Sequence, residues 1–200
     1  MDPPEVPGEF DVERVLELLD ELAERLVRRR VEGTVDVVGG AALALSYYEL
    51  GERRLTSDID AAYSPSAVID ELVTEIAQDR GISSNWLNQK ASQFFPAHGL
   101  PDGHVVSERE GLTVSVGPAP LILAMKLRAA RLGRDNDDIA VLLRRCDVRS
   151  VDDAIAVLDE WYDGEEPFKP MARLIVEAAL GEYPVNTARP PFTLGAMPSR

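Results

Sequence analysis

Residues 35–63 read VDVVGGAALALSYYELGERRLTSDIDAAY, and the pattern of this stretch decides the fold. Thr34–Val38 is β-branched and apolar, which predicts a buried strand. Gly39-Gly40 interrupts it, and Ala41–Leu50 reads as a helix stopped by Gly51. Asp58–Tyr63 alternates polar and apolar residues and reads as a second strand. Seventeen residues separate Gly40 from Asp58, enough for a short helix and a turn that return the chain beside the first strand. The expected fold class is therefore α/β (α+β), built on a small mixed sheet.

Two chemical features follow from this unit. Residues i and i+2 of a strand face the same way, so Asp58 and Asp60 would project side by side. Like charges at that distance are costly unless a cation lies between them. Mg²⁺ suits such a pair, because it takes one or two carboxylates and completes its octahedron with water and phosphate oxygens; Mn²⁺ is the alternative. A solvated strand end would show the same two residues. Gly39 and Gly40 lie where a strand passes into a helix, and small residues there let a phosphate reach backbone N–H groups. A tight turn accounts for the glycines equally well. Together, cradle and carboxylate pair would meet at one rim of the sheet.

Outward from this stretch, residues 10–30 repeat apolar positions at helical spacing, with acids early and arginines late, in keeping with the helix dipole. Helix 67–79 precedes a region, 82–103, expected to be mostly loop with one helical turn near 86–93. Strands are expected at 105–106 and 112–116, then helices at 119–132, 135–146, 151–161 and 168–180. The proposed division is a core over 1–117, a helical portion over 118–183 and an extended tail over 184–200.

Composition narrows the classes. A net charge of −14 argues against a general nucleic-acid-coating or membrane-surface protein. One cysteine, Cys146, and two histidines, His98 and His104, exclude an intramolecular disulfide and an ordinary zinc site. MDPPEVPGEF carries neither a basic nor an apolar leader region, and no apolar run is long enough to span a bilayer. A cytoplasmic protein with no membrane partner is expected.

The 35–63 stretch resembles the signature of the DNA polymerase β-type nucleotidyltransferase superfamily: apolar-Gly-Gly, a spacer, then Asp-x-Asp. SDIDAAY at 57–63, followed by APLILAMKLRAARLGRDNDDIAVLLRR at 119–145, is similar to the AbiEii/MenAT-type nucleotidyltransferase toxins of bacterial toxin–antitoxin systems. The resemblance implies Mg²⁺-dependent transfer of a nucleotide from an NTP to an acceptor hydroxyl, with the 3′ end of tRNA as acceptor, arrest of translation and restraint by an antitoxin protein. It implies metal binding by Asp58 and Asp60 and NTP binding by Gly39, Gly40, Thr56, Ser57 and Lys126. Lys126 would neutralise the phosphates, as a charge and not as a proton carrier. Asp138 matches the last active-site carboxylate, positioning the lysine or accepting the hydroxyl proton, with Asp137 beside it as the alternative. Asp135 reads as a helix cap. The superfamily's third metal carboxylate has no counterpart on the later strand, where LTVSV offers Thr113 and Ser115.

Each of these residues has a plainer reading. Lys126 could be a snorkelling surface lysine, and Thr56 a turn hydroxyl satisfying its own backbone. Arg128, Arg131 and Arg134, with Arg144 and Arg145, form the local basic patch at which RNA would dock. Arg28-Arg29-Arg30 reads as the basic close of a helix. Cys146 reads as a core residue, and Trp86, Phe94 and Phe95 as core packing or a base platform. Transfer to a protein or small molecule, and nucleotide binding without catalysis, remain the competing functions.

Overall fold

The computed structural model describes residues 9–46, 55–129, 131, 135–162 and 169–182. Helix α1 (Val12–Arg29) leads into strand β1 (Gly33–Val37), helix α2 (Gly39–Ser46), strand β2 (Ile59–Ser64) and helix α3 (Ser66–Arg80). Strand β3 (Leu87–Asn88) and a 3-10 turn at Lys90–Phe94 follow, then strands β4 (His104–Arg109) and β5 (Leu112–Val116). Helices α4 (Ala119–Ala129), α5 (Asn136–Arg145), α6 (Val151–Trp161) and α7 (Lys169–Glu182) complete the described chain. The class is the mixed α/β one expected, with a helical C-terminal half. The arginine assigned to the RNA patch at 134, and the tail over 184–200, lie outside the described residues.

The five strands form one mixed sheet in the order β3-β2-β1-β5-β4. Strand β2 runs antiparallel to β1, and β5 runs parallel to it. Alternation divides the sheet faces: Val35, Val37, Ile59, Ala61, Val114 and Val116 are buried, whereas Thr34, Asp36, Ala62, Thr113 and Ser115 point the other way and stay partly accessible. Gly33 lets α1 and α3 close on the buried face, since a Cβ there would stand 3.0 Å from Leu26 and 3.4 Å from Ile69. Helix α1 is held at its start by Asp11, which accepts from Arg14 N–H at 2.9 Å, and ends on Arg30 in the left-handed region.

Three elements depart from the sequence reading. Strand β4 is six residues long instead of two, because it is an exposed edge strand whose pattern carries no apolar alternation. Strand β3 emerges inside the region expected to be mostly loop and pairs in parallel with β2, Asp60 opposite Asn88. The second strand of the signature begins at Ile59, so Asp58 occupies the bend just before it. Trp86 settles into the core, fully buried, with its indole N–H donating to Val73 O at 3.1 Å.

Candidate active site

The C-terminal end of β1 and the start of β2 meet at a cavity of about 230 Å³. Its wall includes Gly39, Gly40, Thr56, Ser57, Asp58 and Asp60 from the signature, and Lys126, Arg131 and Asp135 from the second motif. Residues more than sixty positions apart thus share one site. Ala91, Phe94, Ile122, Met125 and Ala129 give it an apolar side.

The signature half is tightly constrained. Val38 N–H donates to Asp60 O at 2.8 Å, which aligns the end of β1 with the start of β2. Gly39 follows with φ +66°, and a Cβ there would stand 3.3 Å from Asp60 Oδ2. Glycine is needed for both the backbone conformation and the close approach. Helix α2 begins at this glycine, so its first residues, Gly39 and Gly40, line the same cavity as Asp58 and Asp60. Burial, and then the neighbouring charge of Asp58, raise the Asp60 carboxyl above its ordinary pKa, while Arg131, Lys90 and Lys126 oppose the rise. A half-buried carboxylate with a second carboxylate's charge beside it is the kind of donor set that a hard cation relieves. Among the described residues no third His, Cys, Asp or Glu joins them as a metal cluster. The pair fits a Mg²⁺ ion that takes the rest of its shell from phosphate and water.

The bend before β2 is shaped by hydroxyls and an amide. Thr56 Oγ1 donates to Asp58 O at 2.8 Å, which uses its one proton; of its two sequence readings, the structure shows the turn hydroxyl. The same residue pairs with Phe10 through two backbone bonds, tying the chain before α1 to this bend. Ser57 Oγ donates to Asp58 Oδ1 at 3.3 Å and is exposed. Asn88, which sequence reasoning missed, is buried and donates through Nδ2 to Asp58 Oδ2 at 3.1 Å. Its amide cannot turn over: Nδ2 also donates to Asn85 O at 3.1 Å, and Oδ1 accepts from Lys90 N–H at 2.9 Å. A pairing strand of two residues has no periodicity to signal it.

The second motif forms a buried ionic cluster. Lys126 is not a snorkelling surface residue: it is 9% exposed, with Nζ 2.9 Å from Asp135 Oδ1 and 2.8 Å from Asp138 Oδ2. Asp135 holds the cap position of α5 but makes no capping bond through its side chain, because its carboxylate turns to the lysine. Asp138 is 2% exposed and does not line the cavity, whereas Asp135 does. Arg131 Nε stands 3.7 Å from Asp135 Oδ2.

Other residues singled out from sequence have structural partners. Arg128 stacks on the Tyr162 ring at 4.7 Å and donates to Gln93 O at 3.2 Å, so it joins α4 to the 3-10 turn and to the end of α6. Arg28 pairs with Glu24, and Arg29 with Glu71 and Glu75 on α3. His98 stacks on Trp161 with 6.0 Å between ring centroids, and His104 Nε2 lies 2.9 Å from Ser46 Oγ. Burial pushes the Cys146 thiol up to about 12, which leaves it no nucleophilic character near neutral pH.

No helix among the described residues is long and apolar enough to cross a membrane. No protein-family model, no curated protein and no solved structure matches this chain.

Proposed function

We propose that this protein is a Mg²⁺-dependent nucleotidyltransferase that moves a nucleotide from an NTP to an acceptor hydroxyl and releases pyrophosphate. The observation that carries the reading is the meeting of Gly39-Gly40, Asp58-x-Asp60 and Lys126 around one cavity. The N–H groups opening α2 and the Ser57 hydroxyl bind triphosphate oxygens. Thr56 holds the bend that aims Asp58, and Asn88 fixes that carboxylate's orientation. Asp58 and Asp60 hold Mg²⁺, or Mn²⁺ in its place, and the ion supplies charge neutralisation at the phosphates. Lys126 adds a fixed positive charge on the leaving side, and Asp138 anchors it from behind. In the reaction the acceptor oxygen bonds to the α-phosphorus, and the bond from that phosphorus to the oxygen bridging it to the β-phosphate breaks. That oxygen leaves as part of the pyrophosphate with the electron pair, and the hydroxyl proton passes to water.

The two motif segments support a toxin reading: tRNA as acceptor at its 3′ end, translation as the process blocked, a cognate antitoxin as partner and the cytoplasm as location. Arg131 at the cavity rim is the described arginine best placed to meet an RNA phosphate.

The test is to incubate the protein with Mg²⁺, each α-labelled NTP in turn and total bacterial RNA, then resolve RNA from protein. Label on tRNA-sized RNA that disappears in Asp60→Ala supports the reading and names the base. Label on a polypeptide moves the acceptor to a protein, and NTP binding with no transfer to any acceptor makes the protein a nucleotide-binding module.

A further inference from the structure

Two side chains of the helical C-terminal half grip a segment that walls the cavity. The 3-10 turn at Lys90–Phe94 supplies Ala91 and Phe94 to that wall. At its start the turn is held by Asn88, whose Oδ1 accepts from Lys90 N–H at 2.9 Å. At its end the Phe94 carbonyl accepts from the Tyr162 hydroxyl, and the Gln93 carbonyl accepts from Arg128 Nη1 at 3.2 Å. The two donors also meet each other, with the Arg128 guanidinium 4.7 Å from the centre of the Tyr162 ring. Tyr162 is buried at the close of α6, and Arg128 lies on α4 beside Ala129, which lines the same cavity.

We propose that Arg128 and Tyr162 are positioning residues that set the apolar wall of the cavity and, through it, the grip on the nucleobase of an NTP. The inference rests on the nucleotidyl-transfer reading. The wall comes from two elements: Ala91 and Phe94 belong to the turn, and Ile122, Met125 and Ala129 belong to α4. Arg128 and Tyr162 are what fasten the first to the second. An NTP is charged at one end and carries at the other a base with apolar faces, so the base is the end that such a wall suits. A planar guanidinium can lie on an aromatic ring while an N–H in its plane reaches a carbonyl, which an ammonium cannot reproduce. A contact to an RNA phosphate, the role expected for Arg128 from sequence, would need only its charge.

Three variants separate these roles. Tyr162→Phe deletes one hydroxyl and keeps the ring under the arginine, Arg128→Lys keeps the charge and loses the plane, and Arg128→Ala loses both. Thermal melts establish that each variant folds, and Tyr162→Phe, the mildest change, decides alone where the arginine variants do not. Calorimetric titration with Mg²⁺ present then compares ATP, GTP, CTP and UTP with inorganic tripolyphosphate, which has the phosphates and no base. In Tyr162→Phe and Arg128→Lys the affinity for NTP should fall roughly tenfold, the equivalent of about 1.4 kcal/mol, while tripolyphosphate binds as it does to the native protein. In transfer assays the KM for NTP should rise, with the KM for RNA and its salt dependence unaltered.

A lower melting temperature with native NTP affinity would make the two residues structural only and overturn the proposal. Equal losses for NTP and tripolyphosphate would overturn it too, since the whole site and not its apolar wall would then have moved. So would native NTP binding in Arg128→Lys together with an Arg128→Ala variant whose RNA affinity drops and whose salt slope falls by about one, the mark of a phosphate contact. A native protein that binds neither NTP nor tripolyphosphate removes the nucleotidyl-transfer reading as well, whereas nucleotide transfer by the native protein leaves that reading standing under each of the other failures.

Discussion

Lys126 Nζ bridges two carboxylates of the next helix, Asp135 at 2.9 Å and Asp138 at 2.8 Å, and only Asp135 also faces the cavity. This relationship makes the lysine a fixed charge. An ammonium held between two buried acceptors cannot swing, so its distance to the carboxylate pair is set by the packing of α4 on α5 and by nothing softer. In the proposed nucleotidyl transfer, a charge held this way would need no reorganisation as negative charge develops on the leaving pyrophosphate.

Replacing Lys126 by Ala strands both aspartates in the interior. Breaking a buried ion pair by removing one partner costs about 3–5 kcal/mol. Urea denaturation of Lys126→Ala should show a loss of that order. A loss under about 1 kcal/mol would mean that solvent reaches the cluster and screens it.

Asp60 gives a pH dependence whose sign is opposite to that of a salt-bridged carboxylate. Burial and the Asp58 charge hold its folded pKa above the ordinary value. Over the window between the two values the native chain keeps a proton that the unfolded chain has released, so this group's contribution to stability falls as pH rises through it. Without metal, Asp60→Asn should therefore melt above the native protein at neutral pH, and the gap should close in acid. Added Mg²⁺ should raise the melting temperature of the native protein and not that of the variant.

Gly39→Ala tests the cradle. The φ of +66° is unfavourable for alanine by roughly 1–2 kcal/mol, and the new methyl group would press on Asp60 Oδ2. Expected results are a lower melting temperature by that equivalent and a weakened response to Mg²⁺. A variant as stable and as Mg²⁺-responsive as the native protein would show that the turn has slack.

Asn88→Ala removes the amide that orients Asp58. Groups that hydrogen-bond a metal-ligating carboxylate and fix its orientation typically contribute about 10–100-fold to metal affinity. A Mn²⁺ titration followed by paramagnetic resonance should show a drop of that size, and Asn88→Gln should not restore it, because the longer side chain cannot keep both backbone bonds. Unchanged affinity would leave Asn88 a purely structural residue.

Cys146 should resist alkylation. With its thiol pushed up to about 12 by burial, iodoacetamide at pH 8 should react with the folded protein far more slowly than with the unfolded chain. Equal rates would place the sulfur at the surface.

The strand–glycine–helix–strand unit was legible in the sequence because its signals are local. Alternation at Asp58–Tyr63, β-branching at Thr34–Val38 and the glycine pair each report on neighbours in the chain, and the long helices report their own apolar period. Asp58, Asp60, Gly39, Gly40 and Lys126 could be singled out on that basis, together with the resemblance their spacing carries. The roles of Asp135 and Asp138 could not. They are one helical turn apart and chemically identical; which of them meets the cavity depends on how α5 rotates against α4, a matter of packing between elements. Asn88 was invisible for a related reason: β3 is two residues long, and what holds it is parallel pairing with β2 across the sheet, a contact that no window of sequence contains. Local periodicity thus determined which elements exist and which residues carry charge into the site. Long-range packing alone decided which carboxylate is buried behind the lysine and which belongs to the cavity wall.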